Sequence, residues 1–438
     1  MKAIAITKPG RNSIAPQNLP EKLIWYYITG TYLIYYLGGQ YLLAPLLGYF
    51  LVLYLFWQWW NQTAATPPEA RITIPFTVWL WVIGMVMIQI ALIVGHIDFD
   101  LGLTKMINSS VNRWLRTWLL FPVFMLVGSL NIRPRLIYRA VCILCLQSLV
   151  MVVIASILRI PEVAYTSPLQ IFGGSDLCRV YVFGSVLDSG TEFRLVLFAP
   201  WGPALGLVAN IYFFLALQEP DHKWRLLGMS GAVAMIVGSV SRLAIICLPL
   251  AWFLSWLLAN ISRPLIQLLT GLVTFCGGFL APTIINVMQA AQDQFTSSRA
   301  GSSKVRATLG RIALYRWQNE ALIWGHGTIE ERGPKVTAYM PIGTHHTLFS
   351  VLYNHGLVGC LGLVIPLAWS LVELVFKSQK FQIAQVGLSI ILVLIIFTLA
   401  ETIDSLAYLY WPGLVILGIA FQEKGFLFNR TKQKIEVY

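Results

Sequence analysis

Arg242 is a polar residue that could carry chemistry, because it follows Ser241 between two apolar runs. A charged side chain near hydrocarbon costs about 2 to 3 kcal/mol at mid-helix and less at the interface. The planar guanidinium of arginine suits phosphate oxygens, so Arg242 is a candidate for binding a phosphate at headgroup depth. The alternative is an arginine that extends to the interface and only marks the boundary of a span.

A second group lies in the run GRIALYRWQNE. Arg311, Tyr315 and Asn319 are spaced by four residues, and Arg316 and Glu320 form an adjoining stripe. This spacing predicts an amphipathic helix at the membrane surface. The alternative is an ordinary solvated helix with an Arg316–Glu320 pair, which contributes only a few tenths of a kcal/mol.

Histidines and acids supply the remaining candidates. His345 and His346 stand where a basic stretch meets the next apolar run, and either could act as a base or a cation, or be an ordinary interfacial histidine. Asp98 and Asp100 could hold a divalent ion on a diphosphate, but are more simply solvated loop acids. Zinc needs more ligands at suitable spacing, so we expect no metal and no cofactor.

The composition indicates the environment in which these residues act. Hydrophobic residues make up 57% of the 438 and charged residues 11%, with a mean hydropathy of +0.70. Such a balance predicts an all-α polytopic membrane protein. The formal net charge is +12, but the basic residues are scattered between apolar runs, so membrane topology explains them and no nucleic-acid partner is expected.

Twelve apolar stretches are long enough, or nearly so, to span a bilayer. They lie at 23–38, 41–59, 76–95, 114–131, 136–158, 196–217, 225–240, 242–259, 262–285, 346–375, 383–400 and 405–422. The basic start predicts a cytoplasmic N-terminus at 1–22, followed by nine spans in 23–285 with external loops near 96–113 and 159–195. The predicted topology continues with a long periplasmic loop at 286–344 that contains amphipathic helices. It ends with three spans in 345–422 and a basic cytoplasmic tail at 423–438.

Three motifs follow one another in the C-terminal half: Ser-Arg at the start of an apolar run, a basic helix leading to a G-x-G turn, and a histidine with glycines 11 and 14 residues later. Their residues are Ser241, Arg242, Gly310, Arg311, Tyr315, Gly325, Gly327, His345, Gly356 and Gly359. In order and spacing, residues 190–375 resemble the O-antigen ligase and O-antigen polymerase superfamily of bacterial surface-polysaccharide enzymes. The segment FRLVLFAPWGPALG, with Arg194 and Pro200, is similar to the stretch that precedes the family's middle helices.

The chain departs from the family pattern at several positions. Tyr315 replaces a common tryptophan, and His346 stands where asparagine is usual. The distance from Arg311 to the G-x-G turn is about one helical turn shorter than in the family. Either Arg311 or Arg316 could therefore be the loop arginine of the family.

The resemblance implies a C-type glycosyltransferase architecture and an inverting, metal-independent glycosyl transfer. The donor would be a glycan on undecaprenyl diphosphate, and the acceptor a lipid or another glycan, at the periplasmic face of the bacterial inner membrane. The implied catalytic residues are His345 as base with Arg242, Arg311 and Arg316. Candidates for substrate binding are His346, Arg194, Tyr315 and Arg306.

Ligase and polymerase differ only in the acceptor, and the late position of the long loop favours a ligase. A transporter or flippase for a lipid-linked glycan is a rival, although the mid-span charges that such proteins use are scarce here. A non-catalytic membrane subunit of polysaccharide assembly is a third possibility.

Overall fold

The computed structural model describes residues 14–423 except for 64–70, 159–161, 173–174, 187–192, 280, 283–284, 287–288, 290–299, 331 and 338. Residues 1–13 of the predicted N-terminal segment 1–22, residues 424–438 of the predicted tail 423–438, and residues 290–299 of the predicted long loop lie outside the described residues. The described chain is mostly helical, which confirms the predicted helical class.

The helices follow one another along the chain. In chain order they are α1 (Leu19–Thr29), α2 (Thr31–Tyr36), α3 (Gln40–Trp60), α4 (Phe76–Asp98), α5 (Leu103–Ser109), α6 (Leu120–Val127), α7 (Pro134–Leu158), α8 (Gly202–Ala216), α9 (His222–Gly238), α10 (Arg242–Ala259), α11 (Pro264–Phe279), α12 (Ala300–Glu320), α13 (Thr347–Ser378), α14 (Gln382–Thr398) and α15 (Ala407–Gln422). A π-helix at Ser110–Trp118 links α5 to α6, and 3-10 turns lie at Pro168–Phe172, Ser175–Cys178, Lys335–Thr337 and Asp404–Leu406.

Six helical segments of the described chain are long and apolar enough to cross a membrane. They are α3, α4, α7, α10, α13 and the segment Asp404–Gln422, which contains α15. Helices α8, α11 and α14 are apolar but shorter. Helices also occupy the other predicted spans. The span predicted at 23–38 is divided by Gly30 into α1 and α2, and the span predicted at 114–131 begins in the π-helix and continues into α6. These lengths support membrane integration, and the number twelve stays a prediction.

Two short hairpins fold part of the predicted external loop at 159–195, and the helical prediction did not include them. Strand β1 (Ala164–Thr166) pairs antiparallel with β2 (Arg179–Tyr181), and β3 (Gly184–Val186) pairs with β4 (Phe193–Leu195). The hydroxyl of Tyr36 in α2 donates to the carbonyl oxygen of Val182 at 2.7 Å. The hairpins are thus tied to the helices beneath them.

The three segments predicted to be external lie at one end of the helix bundle. A Cβ built on Gly95, near the end of α4, would lie 2.6 Å from the backbone nitrogen of Gly327 in the long loop. The guanidinium of Arg116, after the first external segment, donates to the carbonyl oxygen of Phe172 in the second. The three predicted external segments are therefore in contact with one another.

Helix α13 is interrupted at Gly356. The G-x-G turn and the residues before it form hydrogen bonds with the backbone groups that the break in the helix leaves without helical partners. Gly356 has a φ of 59°. The backbone N–H groups of His326 and Gly327 each donate at 2.8 Å to the carbonyls of Tyr353 and Asn354. Backbone N–H groups beyond the break donate back to the carbonyls of residues 322 and 323. Unpaired polar groups inside a membrane-spanning helix are costly, so this loop and helix stabilise each other.

Replacing Gly356 with alanine is expected to destabilise the protein. The left-handed backbone disfavours any Cβ, and a Cβ here would lie 2.3 Å from the carbonyl oxygen of Ile323. Strain of this kind costs about 1 to 3 kcal/mol, so the unfolding temperature of the purified protein in detergent should fall. Gly271→Ala in α11 is the matched control, because no atom lies within 4 Å of a Cβ built there. Equal unfolding temperatures for the two variants would contradict the assigned role of Gly356.

Candidate active site

Helices α8 and α13 begin next to Glu401, which lies between α14 and α15. Trp201 precedes α8, and its indole N–H donates to the Glu401 carboxylate at 3.3 Å. The hydroxyl of Thr347, the first residue of α13, donates to the backbone carbonyl of Glu401. Helix α10 packs against α8, since a Cβ built on Gly206 would lie 3.4 Å from the Cβ of Ser241. Helix N-termini carry partial positive charge, so this region favours anions.

Glu401 is a site residue that the sequence motifs did not indicate. Its side chain is buried, with an exposed fraction of 4% for the residue, and its carboxylate lies 3.6 Å from the guanidinium of Arg306 on α12. Burial raises the pKa of Glu401 to about 7, although Arg306 and the hydrogen bond from Trp201 oppose the rise. The carboxyl group therefore changes charge near neutral pH.

His345 is held in an unusual backbone conformation two residues before Thr347, which donates to the backbone of Glu401. Its φ is 63°, a left-handed value that is strained for a residue with a side chain. Burial and, to a smaller extent, the positive charge of Arg306 together lower the pKa of His345 to about 4. The imidazole is therefore neutral at neutral pH and has a lone pair that can accept a proton.

His346 has a different role, because it caps the start of α13. Its Nδ1 accepts a hydrogen bond from the backbone N–H of Phe349 at 3.4 Å, and the two rings stack with centroids 3.9 Å apart. A Cβ built on Gly310 of α12 would lie 2.9 Å from the Phe349 ring. His346 thus helps to position the Phe349 ring, against which α12 packs.

Arg194 lies next to the start of α8, and Arg242 lies at the start of α10. The Cδ atom of Arg194, on β4, lies 3.6 Å from a Cβ built on Gly202 at the start of α8. Its Nε is buried, and within the described part of the chain it has no hydrogen-bond partner. Arg242 is half-buried and is the first residue of α10, which Ser241 caps by accepting from the backbone N–H of Ala244. Both cations therefore lie at helix starts on the side where α8 and α10 meet.

Backbone strain recurs around these residues. Among described residues other than glycine, five have positive φ, and they include Leu197, Val240 and His345. Leu197 follows Arg194 by three residues, and Val240 precedes the Ser241–Arg242 pair. Strained residues are concentrated at functional sites, so their position here favours a functional role for this end of the bundle.

Arg316 belongs to a separate ionic cluster. Its guanidinium lies 2.9 Å from the carboxylate of Glu320, contacts Glu330 and lies over the ring of Tyr353. The imidazole of His326 also contacts Glu320, at 2.9 Å. The predicted Arg316–Glu320 pair is therefore confirmed, and the cluster joins α12 to α13.

Arg311 and Tyr315 point away from both groups. Both side chains are exposed, and Arg311 donates to the hydroxyl of Thr308 at 3.4 Å. The opposite face of the helix carries Leu309 and Ala313, which are buried. Of the loop arginines that the sequence left open, the structure brings neither to Glu401, whose partner is Arg306 instead.

The two loop arginines are expected to respond differently to neutralisation. Arg316→Gln should destabilise the protein by about 1 to 2 kcal/mol after allowance for solvent screening, because the carboxylates of Glu320 and Glu330 lose their arginine partner. Arg311→Gln should leave stability unchanged, since the described structure gives it one hydrogen bond at the surface. Thermal unfolding of both variants checks this difference. A larger loss for Arg311→Gln than for Arg316→Gln would contradict it.

Neither a scan against models of protein families nor a search among curated proteins finds a match for the chain. What the site can do is therefore inferred from its residues. The region contains a neutral imidazole, a carboxyl group that titrates near neutrality and several fixed cations. Such groups suit the transfer of a group from a phosphate-linked donor. The exposed Asp98 is the last residue of α4 and the exposed Asp100 follows two residues later, and no contact joins them to this site among the interactions of the described residues.

Proposed function

We propose that this protein is a membrane glycosyltransferase that moves a glycan from undecaprenyl diphosphate to an acceptor hydroxyl at the outer face of the bacterial plasma membrane. The proposal includes twelve spans, an architecture similar to that of C-type glycosyltransferases, and a ligase-like choice of a lipid or other acceptor. One observation carries it: Arg306 pairs with the buried Glu401, and His345 lies two residues before Thr347, whose hydroxyl donates to the backbone carbonyl of Glu401. The resemblance in motif order and spacing supports the same activity.

The leaving group explains the cations. When the bond between the anomeric carbon and the diphosphate oxygen breaks, its electron pair stays with the diphosphate, and negative charge grows there. Arg194, Arg242 and Arg306 are fixed at or near helix starts, where positive charge stabilises that oxygen. In this mechanism Arg311 and Tyr315 contact the glycan from the exposed face of α12, and Arg316 holds that helix in position.

The acceptor hydroxyl needs a base, and His345 is the proposed one. The acceptor oxygen forms a new bond to the anomeric carbon from the side opposite the diphosphate, so the configuration inverts. The hydroxyl proton passes to the imidazole, and ionised Glu401 offsets the charge of Arg306 and so favours the imidazolium. No metal or other cofactor enters these steps.

A polymerase is the first alternative, since it differs only in accepting a second lipid-linked glycan. A transporter or flippase of lipid-linked glycans is the second. A gel profile of surface glycans from a deletion strain tests all three. Unattached lipid-linked chains support the ligase and single repeat units support the polymerase. Lipid-linked glycans that a glycosidase added outside intact spheroplasts cannot reach would contradict glycosyl transfer and favour transport.

A further inference from the structure

An apolar groove with a volume of about 680 Å³ opens between α7 and α9. Helix α7 contributes Val152 and Ser156, and α9 contributes most of the remaining lining, including Ser230, Val233 and Val237. Val233 and Val237 are exposed on the surface of the bundle. In a membrane-spanning protein such a surface faces lipid, so the groove is open to the side where acyl or prenyl chains lie.

The groove runs along α9 for much of the membrane thickness. Its lining extends from Leu226 to Gly238, a separation of twelve residues and therefore about 18 Å along the helix axis. The hydrocarbon core of a bilayer is about 30 Å thick. A groove of this length and direction fits one extended hydrocarbon chain.

The groove ends at Gly238, next to the strand that carries Arg194. At that end Leu195 lies on Gly238, since a Cβ built on Gly238 would be 2.5 Å from a methyl group of Leu195. Arg194 is the preceding residue of the same strand, and adjacent side chains of a strand point to opposite faces. Leu195 therefore faces the groove while Arg194 faces the start of α8, and Arg242 lies four residues beyond Gly238.

From this continuity we infer that the groove between α7 and α9 binds the polyprenyl chain of a polyprenyl diphosphate, whose diphosphate lies at Arg194 and Arg242. The inference rests on the proposed function and names the subsite for the lipid part of the donor. A diphosphate carries more negative charge than the phosphodiester of a common phospholipid, so two arginines at the groove end favour the polyprenyl diphosphate.

Photo-crosslinking tests the inference without requiring catalysis. The probe is undecaprenyl diphosphate with a diazirine in a mid-chain isoprene unit, added to the purified full chain in phospholipid nanodiscs. We expect mass spectrometry to find the label on peptides of α7 and α9, and unlabelled undecaprenyl diphosphate to remove it. Labelling that phosphatidylglycerol or uncharged undecaprenol removes equally well would show bulk lipid in the groove and overturn the inference.

A pair of tryptophan substitutions gives the matched control. Ser230→Trp fills the groove and should reduce labelling about tenfold, a loss of about 1.4 kcal/mol in binding free energy. Leu227→Trp lies on the exposed surface of the same helix outside the lining and should label like the wild type. Equal labelling of both variants would overturn the inference.

The outcomes also separate this inference from the proposed function. Glycosyl transfer by a protein that is labelled only on other helices would overturn the groove and keep the transferase. Groove labelling of a protein that transfers no glycan would support the groove and contradict the transferase.

Discussion

His345→Ala is expected to lower the rate of glycosyl transfer by about 100-fold to 10,000-fold, the range that a positioned general base contributes. The imidazole is neutral at neutral pH because burial and Arg306 hold its pKa at about 4. Alanine cannot accept the acceptor proton, whereas the cations that bind the diphosphate remain. The loss should therefore appear in kcat more than in the KM for the donor, measured with a lipid-linked glycan in detergent or nanodiscs.

His346→Asn is the matched control for this experiment. Asparagine can cap a helix, and it is the usual residue at this position in the family that the sequence resembles. Activity within a few-fold of the wild type is expected for this variant. Wild-type activity in a well-folded His345→Ala variant would contradict the role of His345 as base.

Glu401→Gln is expected to lower activity at pH 8 by about tenfold to 100-fold and to change its pH dependence. The pKa of Glu401 is about 7, so its charge is largely absent at pH 6 and present at pH 8. Ionised Glu401 offsets the charge of Arg306 and raises the basicity of the imidazole. The wild-type kcat/KM should therefore rise with pH with a midpoint near 7, and the glutamine variant should lack this rise.

Asp98→Asn is the control carboxylate, since Asp98 is exposed at the end of α4. It should keep the rise near pH 7, and Glu401→Asp should restore part of it. A rise near pH 7 that persists unchanged in Glu401→Gln would contradict the assignment, because another group would then control the reaction.

The same carboxyl group should affect the stability of the protein. Folding raises the pKa of Glu401 from 4.5 to about 7, so between these values the folded state holds a proton that the unfolded state has released. Its contribution to stability is therefore greatest below about pH 4.5, falls as pH rises to about 7 and is constant above that. The unfolding temperature of Glu401→Gln should fall less than that of the wild type between pH 5 and pH 7.

The elements that the sequence predicted well are those with a strong local signal. Apolar runs at 41–59 and 76–95 appear as α3 and α4, and the four-residue spacing in GRIALYRWQNE appears as the end of α12. The hairpins of 162–195 were missed because three-residue strands are too short to show an alternating pattern. The interruption of α13 was also missed, although Gly356 was one of the glycines that carried the family resemblance.

The candidate site was predicted in part, because some of its residues lie in local motifs and others do not. His345 and Arg242 stand at the ends of apolar runs, where a polar residue is conspicuous. The Arg306–Glu401 pair joins residues 95 positions apart, and no periodic pattern in the sequence indicates such a contact. In the sequence, Arg316 and Arg311 were equal candidates for the loop arginine at the site. Only the fold reveals that Glu330 and Tyr353 contact the guanidinium of Arg316.

The most direct measurement is transfer by the purified protein in proteoliposomes that contain a radiolabelled glycan on undecaprenyl diphosphate. The vesicles are supplied with either a lipid extract from the source membranes or a second lipid-linked glycan as acceptor. The proposed function predicts that undecaprenyl diphosphate is released while the label moves to one of these acceptors through a new glycosidic bond of inverted configuration. A label that stays on its carrier with both acceptors, while the carrier crosses the vesicle membrane, would contradict the proposed function.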